Sequence, residues 1–334
     1  MEKQRIIYLD FIKGYAILLV ILGHCIQYNI TNGFDNNIIF RYIYSFHMPL
    51  FMLVSGYITK YMSNIDFKHF LTKKTKHLIV PFLSWAIIGC LIYNRNIITT
   101  IKKLFFDPSN GGLWFLTTLF SLSLIICILN IISNKIKINF YILISIFSLF
   151  FVCAGAICKT NILGIRSISW YYIFYVSGII LKQYENQKII AILYKNVYWE
   201  LLLFVIFAYF FRRSYTSNDY SIISKLTFFA NKLFVAFLGI MSSYFICKKH
   251  LSSKDNKIIR IFSKIGQKTL GIYAIQFIAI KFLTKFDIIN IFGYNCDITI
   301  HIIFDFILAA IISYYMTLTL EKNKYTSKIL LGKQ

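Results

Sequence analysis

Apolar runs of about twenty residues, the length a helix needs to cross a bilayer, recur from one end of this chain to the other. We read them at 7–28, 38–59, 77–93, 113–131, 139–157, 169–182, 197–211, 226–247, 268–285 and 299–320. Hydrocarbon offers the backbone no hydrogen bonds, so runs of this kind must pair their own amides and predict helices. The expected fold is an all-α polytopic membrane protein, a bundle of about ten transmembrane helices. It is read as a single domain over residues 1–334. The runs at 169–182 and 197–211 are the shortest.

Composition agrees with this. The chain is 58% hydrophobic and only 15% charged, with a net charge of +23. In a soluble protein that charge would suggest nucleic acid, but no segment is long enough to build a soluble basic surface. The lysines and arginines gather between the apolar runs. With the N-terminus inside, the inner segments hold Lys3, Arg5, Lys60, Lys68, Lys73, Lys74, Lys76, Lys135, Lys137 and the cluster from Lys248 to Lys268. The outer segments, with Arg95, Lys102, Lys103, Lys159, Arg166, Arg212 and Arg213, hold about half as many. Basic residues favour the cytoplasmic side, so both termini are expected there. The seven cysteines form no CxxC pair and most lie in apolar runs, so neither a disulfide framework nor a metal site is expected. The first run is as long as a full span, which argues against a cleaved signal peptide.

Ionisable residues inside spans are candidates for function. In the first run Asp10, Lys13, Ile17, Val20 and His24 follow helical spacing and share one face. Asp10 and Lys13 fall near the inner end, and His24 lies about 16 Å further along the helix. His24 is either a reactive group in a polar cavity or a hydrogen-bonding residue between helices. Asp10 is too far along the helix to serve His24, and pairs more naturally with Lys13 or Arg5.

The second run reads YIYSFHMPLFMLVSGY from Tyr42 to Tyr57. Tyr44, His47, Phe51 and Ser55 lie on one stripe. Pro49 removes a backbone donor and leaves the carbonyl of Ser45 without its helical partner. Such groups are tolerated where they line protein or water, so either this is a tolerated flaw in a buried helix, or His47 and the freed carbonyl face a polar cavity. Beyond it Lys73, Lys74, Lys76 and His77 form a dense positive cluster before Pro81. The cluster is either an orientation signal or a seat for a polyanionic cytosolic ligand, since point charges suit phosphate groups. Gly111 and Gly112 form a hinge before Trp114. Gln276 lies mid-span, and His301 and Asp305 share a face as a relay or a structural pair.

Four motifs, in order, resemble the integral-membrane acyltransferase family 3. YLDFIKGYAILLVILGH resembles its opening LDxxRGxA…H pattern, and SFHMPLFMLVSGY its FHMPLFFxxSG signature. The basic segment running into LIVPF resembles its third motif, and GGLWFLTTLF its LWFL motif. FYVSGIILKQ and IGQKTLGIYAIQ extend the likeness over nearly the whole chain. The resemblance implies an acyl-CoA-dependent O-acyltransferase of the bacterial inner or cytoplasmic membrane. Acetyl-CoA (or another acyl-CoA) would be a donor substrate, with no permanently bound cofactor. The acceptor would be a hydroxyl of a cell-envelope glycan or lipid-linked sugar.

By match to these motifs His24 and His47 are the implied catalytic residues. Lys73, Lys74 and Lys76, with Lys13 and Asp10, would meet the donor at the inner mouth, and Ser55 and Trp114 would contact substrate. His47 or Ser55 would serve as oxyanion donor. Lys13 stands where an arginine is usual, which loses the planar fork. Gln276 replaces a frequent histidine and cannot transfer a proton. A transporter or flippase for a lipid-linked saccharide is the alternative, and a non-catalytic structural partner a third.

The orientation is checked by labelling. A cysteine placed in the 59–76 segment should react with a membrane-impermeant maleimide only from the cytoplasmic side. Labelling from outside would invert the topology.

Overall fold

A computed structural model describes residues 6–59, 66–108, 112–157, 161–214, 221–251, 256–286 and 297–333. Lys3, Arg5, Lys60, Gly111, Cys158, Lys159, Lys254 and Cys296 lie outside the described residues. All ten apolar runs are helical. The principal elements are α1 (Ile7–Asn29), α2 (Ile38–Ile58), α3 (Phe67–Ile92), α4 (Ile97–Phe106), α5 (Trp114–Ile136), α6 (Phe140–Ile157) and α7 (Ile165–Gln183). They continue with α8 (Lys188–Lys195), α9 (Val197–Tyr209), α10 (Ile222–Leu251), α11 (Lys257–Gly266), α12 (Thr269–Phe286), α13 (Ile298–Lys322) and α14 (Lys324–Leu330).

Seven helices among the described residues are long and apolar enough to cross a membrane: α1, α2, α3, α5, α10, α12 and α13. The pair α8 and α9 adds an eighth if it is one span, bent by 65°. Asn196 sits at that bend with φ −94° and ψ 14°, outside helical geometry. Helix α6 is apolar but shorter.

Helix α3 starts ten residues before the expected 77. Asp66 caps it by accepting from the amide of His69 at 3.1 Å, which satisfies one of the free amides of a helix start. The lysine cluster is therefore helical, not a loop before the span. A wide turn over Thr75–Ile79, in which the Val80 amide reaches back to the Thr75 carbonyl, takes in the end of the cluster, Lys76 and His77. Pro81 accounts for it: proline has no N–H for the preceding turn and its ring crowds the carbonyl four residues back. The connections 94–112 and 248–267 contain α4 and α11, which the apolar-run reading passed over. Pro49 does not break α2.

The chain forms two compact units. The first comprises Met1–Val54 with Tyr184–Thr317, and the second Ser55–Gln183 with Leu318–Gln334. In the first unit α1 is packed by α10, α11 and α12, and α9 lies along α10. The approach of α11 to α1 depends on glycine. A Cβ on Gly266 would lie 1.8 Å from the Asp10 carbonyl oxygen, and one on Gly14 would lie 2.0 Å from that of Phe262. Phe11 and Phe262 stack beside this contact at 4.8 Å.

In the second unit α5, α6 and α7 pack together, and the wide turn of α3 lies against α5. The C-terminal segment is tied to α3. Trp85 Nε1 donates to the Leu330 carbonyl at 2.9 Å, and His77 Nδ1 donates to the Gly332 carbonyl. Gly56 lets the end of α2 meet the backbone of α7, where a Cβ would lie 1.9 Å from the Tyr175 carbonyl oxygen.

The glycine contact gives a stability test. Gly266→Ala should destabilise the purified protein by about 1–3 kcal/mol, the usual cost of overpacking, read as a lower thermal midpoint in detergent. An unchanged midpoint would show that α11 is not held through this approach.

Candidate active site

The histidines of the first two apolar runs, His24 and His47, lie in the first unit and share a neighbour. His24 Nδ1 is 3.3 Å from Gln27 Oε1, one turn along α1. An amide oxygen only accepts, so Nδ1 carries the proton. The Tyr44 hydroxyl donates to the same oxygen at 3.3 Å. The lone pair of neutral His24 is thus on Nε2. The ring lies 4.4 Å from that of Phe277 and meets Tyr44 edge-on at 6.4 Å.

His47 is buried, at 4% exposure. Its Nδ1 lies 2.6 Å from the Ile43 carbonyl oxygen, which again requires Nδ1–H. The Tyr44 ring is 4.8 Å from the His47 ring and stacks on Phe40 at 3.8 Å. Tyr44 therefore stands against both histidines. Neutral His47 has no ring N–H left for an oxyanion, which corrects that expected role. Each ring instead offers Nε2 as a proton acceptor, in the tautomer its own helix sets.

The N-terminal end of α1 is a separate polar cluster. Lys13 Nζ is 2.5 Å from Asp10 Oδ1, and Gln267 Nε2 donates to Asp10 Oδ2 at 3.4 Å. Fourteen residues separate Asp10 from His24, about 21 Å along a helix, so Asp10 does not orient that histidine. Nearby, Glu185 receives Lys248 at 2.6 Å and the Tyr244 hydroxyl at 2.7 Å.

The second unit holds the remaining expected residues. Lys73 and Lys76 are exposed, whereas Lys74 is half-buried and donates to Ser123 Oγ at 3.2 Å. Ser55 is half-buried, and its carbonyl accepts from Thr59 Oγ1 at 2.9 Å. Trp114 opens α5 and stacks on Tyr171 at 5.1 Å. Gly112, of the expected hinge, has φ +71°.

Asp305 accepts from Asn29 Nδ2 at 2.9 Å, which favours the structural reading of that carboxylate. Gln276 is fully buried, and neither polar atom of its side chain has a hydrogen-bond partner among the described residues. Among these residues no three His, Cys, Asp or Glu side chains are grouped to hold a metal ion. Cys25, Cys90, Cys127, Cys153 and Cys247 are free thiols.

Sequence reasoning passed over Gln27 and Arg213. Gln27 was visible as a polar residue three positions after His24. Arg213 counted only as a loop charge, yet its guanidinium lies 5.8 Å from the Tyr44 ring centre and 5.5 Å from that of Phe34. It also lies 3.8 Å from the Asp35 carboxylate.

Two histidines of defined tautomer on apolar helices are parts that acyl-transfer chemistry can use. The family model described as an acyltransferase domain matches residues 6–320. The chain belongs to this family and is an acyltransferase, built as a multi-pass membrane protein. It is similar to nodulation protein NolL of Mesorhizobium japonicum, with 27% identity over an alignment of 360 residues. That alignment covers 99% of this chain and 91% of the relative. It is also similar to nodulation protein NolL of Sinorhizobium fredii, 39% identical over 88 residues, which are 25% of this chain and 24% of that protein. No solved structure matches.

Gln27→Leu tests the tautomer argument. It should lower kcat by roughly 10–100-fold, the range for partners that orient a histidine, with KM for donor little changed. Wild-type kcat would remove Gln27 from the site.

Proposed function

We propose that this protein is a membrane O-acyltransferase of the bacterial inner or cytoplasmic membrane. On this reading it moves an acetyl group from cytosolic acetyl-CoA to a hydroxyl of a cell-envelope glycan or lipid-linked sugar. The bond from His24 Nδ1 to Gln27 carries the reading, because it leaves Nε2 as the base. The acceptor hydroxyl oxygen attacks the thioester carbonyl carbon as its proton passes to His24 Nε2. The carbon–sulfur bond then breaks, and the leaving thiolate takes that proton from the imidazolium. An ester and free coenzyme A result, and His24 returns to its starting state.

His47, with Nδ1 committed to the Ile43 carbonyl, accepts a hydrogen bond at Nε2 and positions the acceptor. Lys73, Lys74 and Lys76 supply positive charge for the phosphates of the coenzyme. Lys13 is neutralised by Asp10 and contributes less net charge than the sequence alone suggests. Family membership separates this reading from a transporter: passage of a saccharide across the bilayer needs no acyl donor.

His24→Ala should lower transfer of radiolabel from acetyl-CoA by about 10²–10⁴-fold, with expression and membrane insertion unchanged. His47→Ala should also impair transfer, and Pro49→Ala serves as the control for helix shape. Near wild-type turnover of His24→Ala in liposomes would refute the assignment. Mass spectrometry of glycans from cells with and without the protein identifies the acceptor.

A further inference from the structure

The His24 cluster has a cation beside it that the mechanism above leaves unused. His24, Gln27, Tyr44 and Phe277 are each half-buried, so the cluster is not sealed. Arg213, in the segment after α9, lies against it. Its guanidinium carbon is 5.8 Å from the centre of the Tyr44 ring and 5.5 Å from that of Phe34. The Tyr44 ring in turn is 6.4 Å from that of His24. The guanidinium and the imidazole are thus neighbours of one aromatic ring.

Arg41 and Arg213 stand at the same end of the first unit and are used differently. Arg41 is spent on structure. Its Nε donates to the Asp35 carbonyl at 2.9 Å, Nη1 to the Tyr209 carbonyl at 3.3 Å and Nη2 to Asn36 Oδ1 at 3.2 Å. These bonds tie the turn at Phe34–Asn36 to the end of α9, and Lys232 Nζ holds the Arg213 carbonyl at 3.1 Å. The Arg213 backbone is therefore fixed, yet its guanidinium makes no hydrogen bond among the described residues. The Asp35 carboxylate is 3.8 Å from Nε, beyond hydrogen-bonding distance. Both side chains are well exposed, at 42% and 47%, and an exposed pair of this kind contributes little. The fork of Nη1 and Nη2 remains for an oxyanion, which a guanidinium meets with two parallel hydrogen bonds. Lys281 adds a second positive charge near this end. It lies one turn beyond Phe277 on α12 and 5.9 Å from the ring of Tyr28, itself one turn beyond His24.

We propose that Arg213 seats a phosphate ester of the acceptor, so that the acceptor is an anionic saccharide whose phosphate lies about one sugar residue from the hydroxyl that is acylated. The proposal rests on the acyl-transfer reading above, in which that hydroxyl meets His24 Nε2. Two cations, with only the loosely held Asp35 against them, suit the double charge of a phosphate monoester better than a single carboxylate. Arg213 selects which sugar is presented and has no part in holding the donor.

The test uses the full chain in phosphatidylcholine nanodiscs, titrated by calorimetry with glucose-1-phosphate, glucuronate and methyl glucoside. Wild type should bind glucose-1-phosphate about 10–100-fold more tightly than methyl glucoside, the range for hydrogen bonds to charged groups. Arg213→Gln should lose that preference. Arg213→Lys should recover part of it, because it keeps the charge without the fork. Asp35→Asn should bind glucose-1-phosphate at least as tightly as wild type, since a competing carboxylate has gone. The ligand-free thermal midpoint of Arg213→Gln should stay near that of wild type, because the pair it breaks is exposed. Should that variant fold poorly, weakened binding in Asp35→Asn would count against the site.

No preference of wild type for glucose-1-phosphate, or an undiminished one in Arg213→Gln, would overturn the proposal. Glucuronate bound as tightly as glucose-1-phosphate would replace the phosphate by a carboxylate. Stabilisation by phosphatidylglycerol that depends on Arg213, with none by glucose-1-phosphate, would give the site to a lipid headgroup and remove it from the acceptor. Radiolabel transfer from acetyl-CoA by the wild type, measured in membrane vesicles, separates the two readings. Transfer without Arg213-dependent binding leaves the acyl-transfer reading intact and the site refuted. Arg213-dependent binding without transfer leaves a sugar-phosphate site and refutes acyl transfer.

Discussion

The close approach of α11 to α1 is the contact on which the first unit depends. Between helices in lipid the hydrophobic effect supplies little, because the surrounding chains are as apolar as the side chains, and close packing of small residues takes its place. Gly14 and Gly266 remove the side chains that would hold the two backbones apart. The result reaches beyond packing. Helix α11 ends at Gly266, and the next residue, Gln267, is thereby delivered to Asp10. A change at either glycine would move a polar contact as well as an apolar one. The same 23-residue helix then runs without a break to His24, so the register set at its N-terminal end fixes which way the histidine faces.

A second regularity is that the buried and half-buried polar groups of α1 and α2 are satisfied mainly within their own helices. Lys13 pairs with Asp10 three residues back, His24 with Gln27 three residues on, His47 with the carbonyl of Ile43, and Ser45 with that of Tyr42. Residues three and four apart are neighbours on a helix, so these bonds need no tertiary partner. For a histidine this has a chemical consequence. One ring nitrogen is occupied locally and the other keeps its lone pair. Tyr44 links the helices by donating to Gln27 while its ring rests on that of His47.

This division also explains what the sequence made legible. The helices were visible because each apolar run must satisfy its own backbone in lipid, and every run expected to be helical is helical. Helix α11 was not visible as a span because Lys257, Arg260 and Lys264 interrupt its apolar residues. Their spacing leaves Ile259, Phe262, Ser263 and Gly266 on the face toward α1, which is an amphipathic pattern. The start of α3 was missed for a similar reason: Lys68, Lys73 and Lys74 looked like a loop, and the cap at Asp66 carries the only local signal. At the site, helical spacing placed His24 and His47 on defined stripes. That Phe277 meets His24 and Arg213 meets Tyr44 depends on tertiary folding between segments roughly two hundred positions apart, for which one sequence holds no periodicity to read.

The lysine at position 13 shows how one departure from a pattern can be absorbed. An arginine there would present a planar fork, able to meet both oxygens of a carboxylate at once. Lysine is a point charge and occupies Asp10 Oδ1 alone. The other oxygen, Oδ2, receives Gln267 Nε2 from the end of α11. The two donors of a guanidinium fork are thus divided between two side chains on different elements. One of them, Gln267, reaches Asp10 only because Gly266 allows the helices to touch. In this chain the carboxylate keeps two donors at the cost of making their geometry depend on tertiary packing, whereas an arginine would have carried both on one rigid group. The charge of Lys13 is spent on Asp10, whereas none of the lysines at 73, 74 and 76 is within ion-pair distance of a carboxylate among the described residues.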